Sequence, residues 1–233
     1  MDLKNKIAVI TGISKGIGKS LTEKLLAKGA IVAGWGMTPP GMVHENLHFF
    51  KTDVRDANQV ETAFRKTLDA LGNDIHILIN NAGLGYFGYF EEMSLEQFRE
   101  IFEVNVFGIY HTCRHIIPIM KRQQYGHIVN ISSTAGQEGQ AQVAAYCGSK
   151  HAVRGISESL YKELRDFGIK VTCVYPGSTQ TDFFRNSPNI KAHDHMMKPE
   201  EVALQIIHAL ETSDNFLTTT IEFRPLQPKP KVK

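Results

Sequence analysis

The sequence predicts a doubly wound parallel α/β sheet with helices on both faces, and three stretches carry that expectation. Lys6 to Thr11 (KIAVIT) is a short apolar run that ends in a glycine-rich turn and leads into leucines at helical spacing. Strand, tight turn and helix in that order open a nucleotide-binding sheet. Ile75 to Ile79 is a mostly apolar run that delivers Asn80-Asn81-Ala82-Gly83, and His127 to Ile131 (HIVNI) delivers Ser132-Ser133. Small polar residues at the C-terminal ends of central strands mark where open α/β sheets take ligands.

The bulk properties set the frame. A chain of 233 residues suits one large domain, 1–233, whose tail from Pro225 to Lys233 is expected to be extended. Its 42% hydrophobic and 21% charged residues are those of a soluble globular protein. A chain of this length buries roughly 70–75% of its unfolded surface, so neither disulfides nor metals are needed. The net charge of +2 argues against nucleic acid or an acidic membrane as an obligatory partner. Cys113, Cys147 and Cys173 form no CxxC pair and suit reduced thiols. The first apolar run starts at Ile7, leaving no room for a signal peptide, and none reaches membrane-spanning length. The expectation is a cytoplasmic protein.

The first turn reads Thr11-Gly12-Ile13-Ser14-Lys15-Gly16-Ile17-Gly18, a GxxxGxG spacing. Glycines let backbone approach a pyrophosphate, which sits on the free N–H groups of the helix start. Ala30 to Trp35 reads as the second strand. An acidic residue near the end of that strand would hold the ribose 2′-hydroxyl of NAD, but the positions hold Trp35, Gly36 and Met37. With no carboxylate to repel a 2′-phosphate and Lys15 to attract one, NADP(H) is favoured and NAD(H) remains possible. Lys15 is equally readable as a solvated loop lysine.

Thr38 to Asn46, with Pro39, Pro40 and Gly41, reads as a loop too short for a full crossover helix. Leu47 to Thr52 is the third strand. Asp53 after it is placed to accept from an adenine amino group, with Val54 adding backbone contacts, or to cap the helix Ala57 to Leu71. Gly85 to Phe90, rich in glycine and aromatics, is either packing or a wall of a substrate pocket. Ser94 to Arg122 reads as one long helix with Asn105 at its middle. A buried Asn in a helix usually has a local task.

His111 and His115 have metal-ligand spacing but lack an acidic third ligand, and His193-Asp194-His195 lies in a loop, so no metal is expected. Lys170 to Tyr175 is the sixth strand, followed by Pro176-Gly177-Ser178-Thr179-Gln180-Thr181. Glu200 to Leu210 is a late helix and Thr219 to Phe223 a last strand.

On a helix at Ala145 to Ser157, Tyr146 and Lys150 stand one turn apart on one face. Such pairs are also common on helix surfaces. A phenol with a pKa of about 10 is a weak acid or base at neutral pH, and a nearby ammonium lowers that value. The glycine turn, Asn80-Asn81-Ala82-Gly83, Asn105, Ser133, Tyr146-xxx-Lys150 and Pro176-Gly177, in this order, resemble the short-chain dehydrogenase/reductase family across almost the whole chain.

The resemblance implies a Rossmann-type domain of about seven strands, NAD(P) as cofactor, a small carbonyl or alcohol substrate and assembly as a homodimer or homotetramer. It assigns the acid/base to Tyr146, a hydrogen bond to the substrate carbonyl to Ser133, the nicotinamide ribose to Lys150 and a relay water to Asn105. Cofactor contacts fall to Thr11, Gly12, Ser14, Lys15, Gly16, Ile17, Gly18, Asp53, Val54, Asn81, Ala82, Gly83, Tyr146, Lys150, Pro176, Gly177, Thr179 and Thr181. Ser178 and Thr179 depart from the family's usual bulky and β-branched pair, implying a more polar nicotinamide wall.

The tail TTTIEFRPLQ lacks the glycine-rich close of acyl-carrier-protein reductases. The reading is an NADP-dependent carbonyl reductase or alcohol dehydrogenase, Phe183 and Phe184 being lid or core. The alternatives are a non-catalytic NADP-binding redox sensor, a 3-oxoacyl-(acyl-carrier-protein) reductase-like enzyme and an NAD-preferring dehydrogenase.

Overall fold

The computed structural model describes residues 1–183 and 193–228. Phe184 and the last five residues of the tail lie outside the described residues. The strands are β1 (Ile7–Thr11), β2 (Ile31–Gly36), β3 (Leu47–Lys51), β4 (Ile77–Asn80), β5 (Gly126–Ile131), β6 (Ile169–Pro176) and β7 (Thr220–Phe223). The helices are α1 (Gly16–Ala27), α2 (Ala57–Leu71), α3 (Leu95–Phe102), α4 (Gly108–Gln123), α5 (Ala144–Leu164) and α6 (Pro199–Leu210). All strands pair in parallel, in the order β3-β2-β1-β4-β5-β6-β7. The order reverses between β1 and β4, so their C-terminal ends flank the crevice where such sheets take ligands.

The central strands are buried along their whole length because both sheet faces are covered. Ala8, Ile10, Ile77, Ile79 and Val129 pack one face against Leu21 and Leu25 of α1 and Val202 and Ile206 of α6. The alternate residues Val9, Leu78, Ile128 and Val171 pack the other face against α2, α4 and α5. No helix stands between β2 and β3, as the short connection at 37–46 requires, and β3 is left only half-buried. Among the described residues no helix is long and apolar enough to cross a membrane.

Two local readings of the sequence are corrected. The cap of α2 is Asp56, whose carboxylate accepts from the N–H groups of Asn58 and Gln59; Asp53 is instead held by Arg55. The expected long helix from Ser94 is broken, because a π turn at Glu103–Phe107 separates α3 from α4. An extra residue in a helical turn rotates a side chain out of register, and here Asn105 is buried at its centre.

A buried polar ladder ties the strand ends to the helices behind them. Asn80 Nδ2 donates to Asn130 Oδ1 at 2.8 Å, and Asn130 Nδ2 donates to Ser157 Oγ at 2.9 Å. Thr112 Oγ1 closes the ladder by donating to Asn80 Oδ1 at 2.7 Å. Asn130→Ala leaves buried donors and acceptors unmatched, so urea denaturation is expected to register a loss of roughly 2–4 kcal/mol. A loss under about 0.5 kcal/mol would mean the ladder contributes nothing.

Candidate active site

The C-terminal ends of β1, β2, β4, β5 and β6 open into one cleft of about 720 Å³. At its floor the glycine turn is a cradle that side chains would fill. Gly12 and Gly16 adopt φ of +73° and +53°, the left-handed region that glycine favours. A Cβ on Gly18 would lie 2.2 Å from the Gly12 carbonyl oxygen, and one on Gly16 would lie 2.9 Å from Thr181 Cγ2. The start of α1 has no side-chain cap and no acidic residue in its first turn. Its N–H groups and dipole therefore suit a phosphate, and the cradle fits a dinucleotide's pyrophosphate.

The next turn locks onto this one. Thr11 Oγ1 accepts from the N–H groups of Asn81 and Ala82, each at 3.0 Å. Asn81 Nδ2 returns bonds of 3.0 Å to the Thr11 and Gly12 carbonyls. Gly12, Ser14, Lys15, Gly16 and Ile17 line the cleft, as do Asn81, Ala82 and Gly83. Thr11 and Gly18 brace it from behind. Asp53 and Val54 line the far end, where the Arg55 guanidinium holds the Asp53 carboxyl below the usual carboxylate range. Arg55 also reaches Glu100, which accepts from the Tyr86 hydroxyl at 2.7 Å. Nothing in the sequence spacing marked that link between two loops.

Lys15 stays exposed but has a partner. Its Nζ lies 2.7 Å from Asp182 Oδ2, drawing the loop after β6 over the glycine turn. Pro176, Gly177, Thr179 and Thr181 line the same rim. Ser178 lines it too, and the Thr179 hydroxyl donates to the Gly177 carbonyl at 3.0 Å.

At the other end, Ser133, Tyr146 and Lys150 line the cleft together. Ser133 follows β5; its hydroxyl donates to the Pro176 carbonyl at 3.4 Å and accepts from Ala135 N–H at 3.2 Å, and it is near enough to the Tyr146 phenol to lower that group's pKa. Tyr146 and Lys150 stand one turn apart on α5, as their spacing requires, with Lys150 Nζ 5.7 Å from the phenol ring centre. Lys150 Nζ donates to the Ile131 carbonyl at 2.8 Å, and Ser132 Oγ donates to the Lys150 carbonyl at 2.9 Å. Asn105 sits behind this group. Its Oδ1 accepts from Leu84 N–H, and its Nδ2 donates to the Leu84 carbonyl and to Ser149 Oγ. Both amide hydrogens are thus committed to protein partners.

The electrostatics differ from the sequence expectation in sign. Burial pushes the Tyr146 phenol above its ordinary value, and the Ser133 hydroxyl offsets only part of that. Burial also lowers Lys150 to about 8. The expected lowering of the phenol by the ammonium is not seen: desolvation is the largest cause, and the group that lowers the phenol is Ser133. The histidine pair serves packing: His111 bonds the Val54 carbonyl and His115 stacks on Phe64. Among the described residues no cluster of three metal-ligating side chains occurs.

The short-chain dehydrogenase family model matches residues 6–191. The chain belongs to that family. An oxidoreductase of Bacillus subtilis (strain 168), described as uncharacterised, is 34% identical over 196 residues, covering 79% of this chain and 69% of its own. The 3-oxoacyl-(acyl-carrier-protein) reductase FabG of Haemophilus influenzae is 33% identical over 186 residues, covering 77% and 76%. Among solved structures, an alcohol dehydrogenase from the archaeon Thermococcus sibiricus, complexed with 5-hydroxy-NADP, superposes with a TM-score of 0.87. It is 26% identical and covers 97% of this chain and 99% of its own. This short-chain dehydrogenase has the Rossmann-like fold and is an NAD(P)-dependent oxidoreductase, which sets aside the non-catalytic sensor.

The buried ammonium of the short-chain dehydrogenase has a measurable signature. Lys150 titrates at about 8 when folded and at 10.5 when unfolded, so the unfolded chain binds more protons between those values. Stability due to this group therefore rises with pH from 8 to 10.5, by roughly 3 kcal/mol. Raised groups such as Cys113, at about 11, act oppositely at alkaline pH. The difference between wild type and Lys150→Met in denaturation series isolates the effect. Wild type should gain on the variant across that window; parallel curves would place the ammonium in water.

Proposed function

We propose that this enzyme is an NADP-dependent carbonyl reductase, or an alcohol dehydrogenase in reverse, with Tyr146 as the acid. The observation that carries the proposal is the Ser133–Tyr146 hydroxyl pair at the end of the same cleft whose floor is the glycine cradle. Carbonyl reduction builds negative charge on oxygen, which calls for positioned donors and then a proton. Ser133 and Tyr146 come from different elements and line the same end of the cleft, which would let two hydroxyls serve one substrate oxygen. A phenol raised by burial is protonated at neutral pH, the state an acid requires. The bound nicotinamide supplies the hydride.

Lys150 is assigned to the ribose of that cofactor and to charge balance when the phenol gives up its proton. An ammonium has three donors, and the Ile131 carbonyl takes one. Asn105 holds Leu84 and Ser149 in place, and through them the wall and the helix start. NADP over NAD is supported by the end of β2, where Gly36 and Met37 line the cleft without a carboxylate. The Lys15–Asp182 pair is exposed, with both side chains more than half accessible. Exposed pairs are weak, so Lys15 can exchange Asp182 for a 2′-phosphate. The reading includes a small carbonyl or alcohol substrate, a homodimer or homotetramer and a cytoplasmic location.

General acid catalysis is worth about 100- to 10,000-fold. Tyr146→Phe should reduce carbonyl-dependent NADPH oxidation by that order while NADPH binding, followed by fluorescence, is kept. A variant that retains most of its activity would remove Tyr146 from the role. Side-by-side titration should find NADPH binding at least about tenfold tighter than NADH, and Lys15→Ala narrowing the gap. Tighter NADH binding would overturn the cofactor preference.

A further inference from the structure

Resting on the carbonyl-reductase reading, we propose that Gln142 is a positioning residue. Its left-handed backbone aims a carbonyl at Gly88 and so straps the wall of the substrate end to the start of the catalytic helix. The side chain takes no part.

Among the described residues, Asn5, Gln124 and Gln142 have positive φ without being glycine. Gln124 closes the C-terminus of α4, and Asn5 lies before β1 with its N–H on the Gly29 carbonyl. Left-handed residues are ordinary at helix C-termini and in turns. Gln142, at φ +65°, stands instead two residues ahead of the start of α5. A residue with a Cβ is strained in this conformation, and one branched at Cβ is strained more.

The strained residue secures one hydrogen bond. Gly88 N–H donates to the Gln142 carbonyl at 2.8 Å. The same stretch is held at two further points, because Asn105 bonds both backbone groups of Leu84 and Glu100 accepts from the Tyr86 hydroxyl. Leu84, Gly85 and Phe87 line the cleft. Val143, the neighbour of Gln142, lines it too and is buried in the cluster that holds Tyr146. Gln142 itself is exposed and lies outside the cleft lining. Its influence therefore passes through the main chain, to Gly88 on one side and Val143 on the other. The glycine cradle is held separately, by the bonds between Thr11-Gly12 and Asn81-Ala82, so the strap acts on the ketone and not on the dinucleotide.

The test measures kcat and KM for the fastest of acetophenone, cyclohexanone and ethyl acetoacetate, together with Kd for NADPH. The proteins are wild type, Gln142→Gly, Gln142→Val, Gly88→Pro and the Val–Pro double variant. Glycine accepts a left-handed backbone and valine resists it. A Cβ on Gly88 would meet nothing within 4 Å, so proline removes the donor at an open position. Gln142→Val and Gly88→Pro should each lower ketone kcat/KM about tenfold, chiefly through KM, and leave NADPH Kd within about twofold. Gln142→Gly should stay within about twofold of wild type in both, and the double variant within about twofold of the worse single, since the two changes break one bond. Gly88→Pro gives the same reading if valine prevents folding. Unchanged ketone kinetics in Gln142→Val or Gly88→Pro that melts like wild type overturns the strap. So does an equal loss in Gln142→Gly, which would assign the effect to the side chain, or a loss of NADPH binding in step with turnover, which would make the role structural only. In each of these cases wild-type turnover that vanishes in Tyr146→Phe leaves the reductase reading standing. NADPH oxidation by none of the three ketones, or by any wider carbonyl panel, overturns both.

Discussion

The arrangement depends on one buried cation. Lys150 reaches from the second turn of α5 to the last carbonyl of β5, and Ser132, the next residue of that strand's exit, bonds back to the Lys150 carbonyl. These two bonds latch the helix to the strand end. A Cβ on Gly136 would fall 2.7 Å from the same Lys150 carbonyl, so the connecting segment is pressed onto the helix as well. With the latch closed, the phenol one turn earlier stands beside the hydroxyl of Ser133. The penalty of burying the ammonium appears as its lowered pKa, and a bound polar cofactor would relieve it.

The other half of the cleft is held by neutral bonds rather than charge. Thr11-Gly12 and Asn81-Ala82 exchange four hydrogen bonds between the turns after β1 and β4, which sit side by side because the sheet order reverses there. The gap between glycine cradle and phenol is therefore fixed by strand register. The loop carrying Thr181 and Asp182 is different in kind: it contacts the turn through van der Waals packing on Gly16 and one exposed ion pair. Rigid walls and a lightly held rim suit a site that must admit and release two molecules.

Much of this was readable in the chain. Apolar runs that end in small polar residues located β1, β4, β5 and β6, and the i, i+4 spacing alone put Tyr146 and Lys150 on one face. What escaped was set by tertiary contacts. The π turn around Asn105 arises because its amide finds Leu84 and Ser149, partners far off in sequence. Asp53 lies three residues before the cap position of the helix that starts at Ala57, and Asp56 fills that position. The sign of the Tyr146 shift followed from desolvation, which residue spacing cannot report. Lys15 found Asp182 only because the chain returns there after β6.

The most direct test of the central claim is a crystal structure of the enzyme with NADP+ and an unreactive ketone analogue. Both the Ser133 and Tyr146 hydroxyls should lie within about 3.2 Å of the ligand oxygen, next to the nicotinamide. A dinucleotide seated away from the glycine turn, or two hydroxyls directed to separate atoms, would contradict the account.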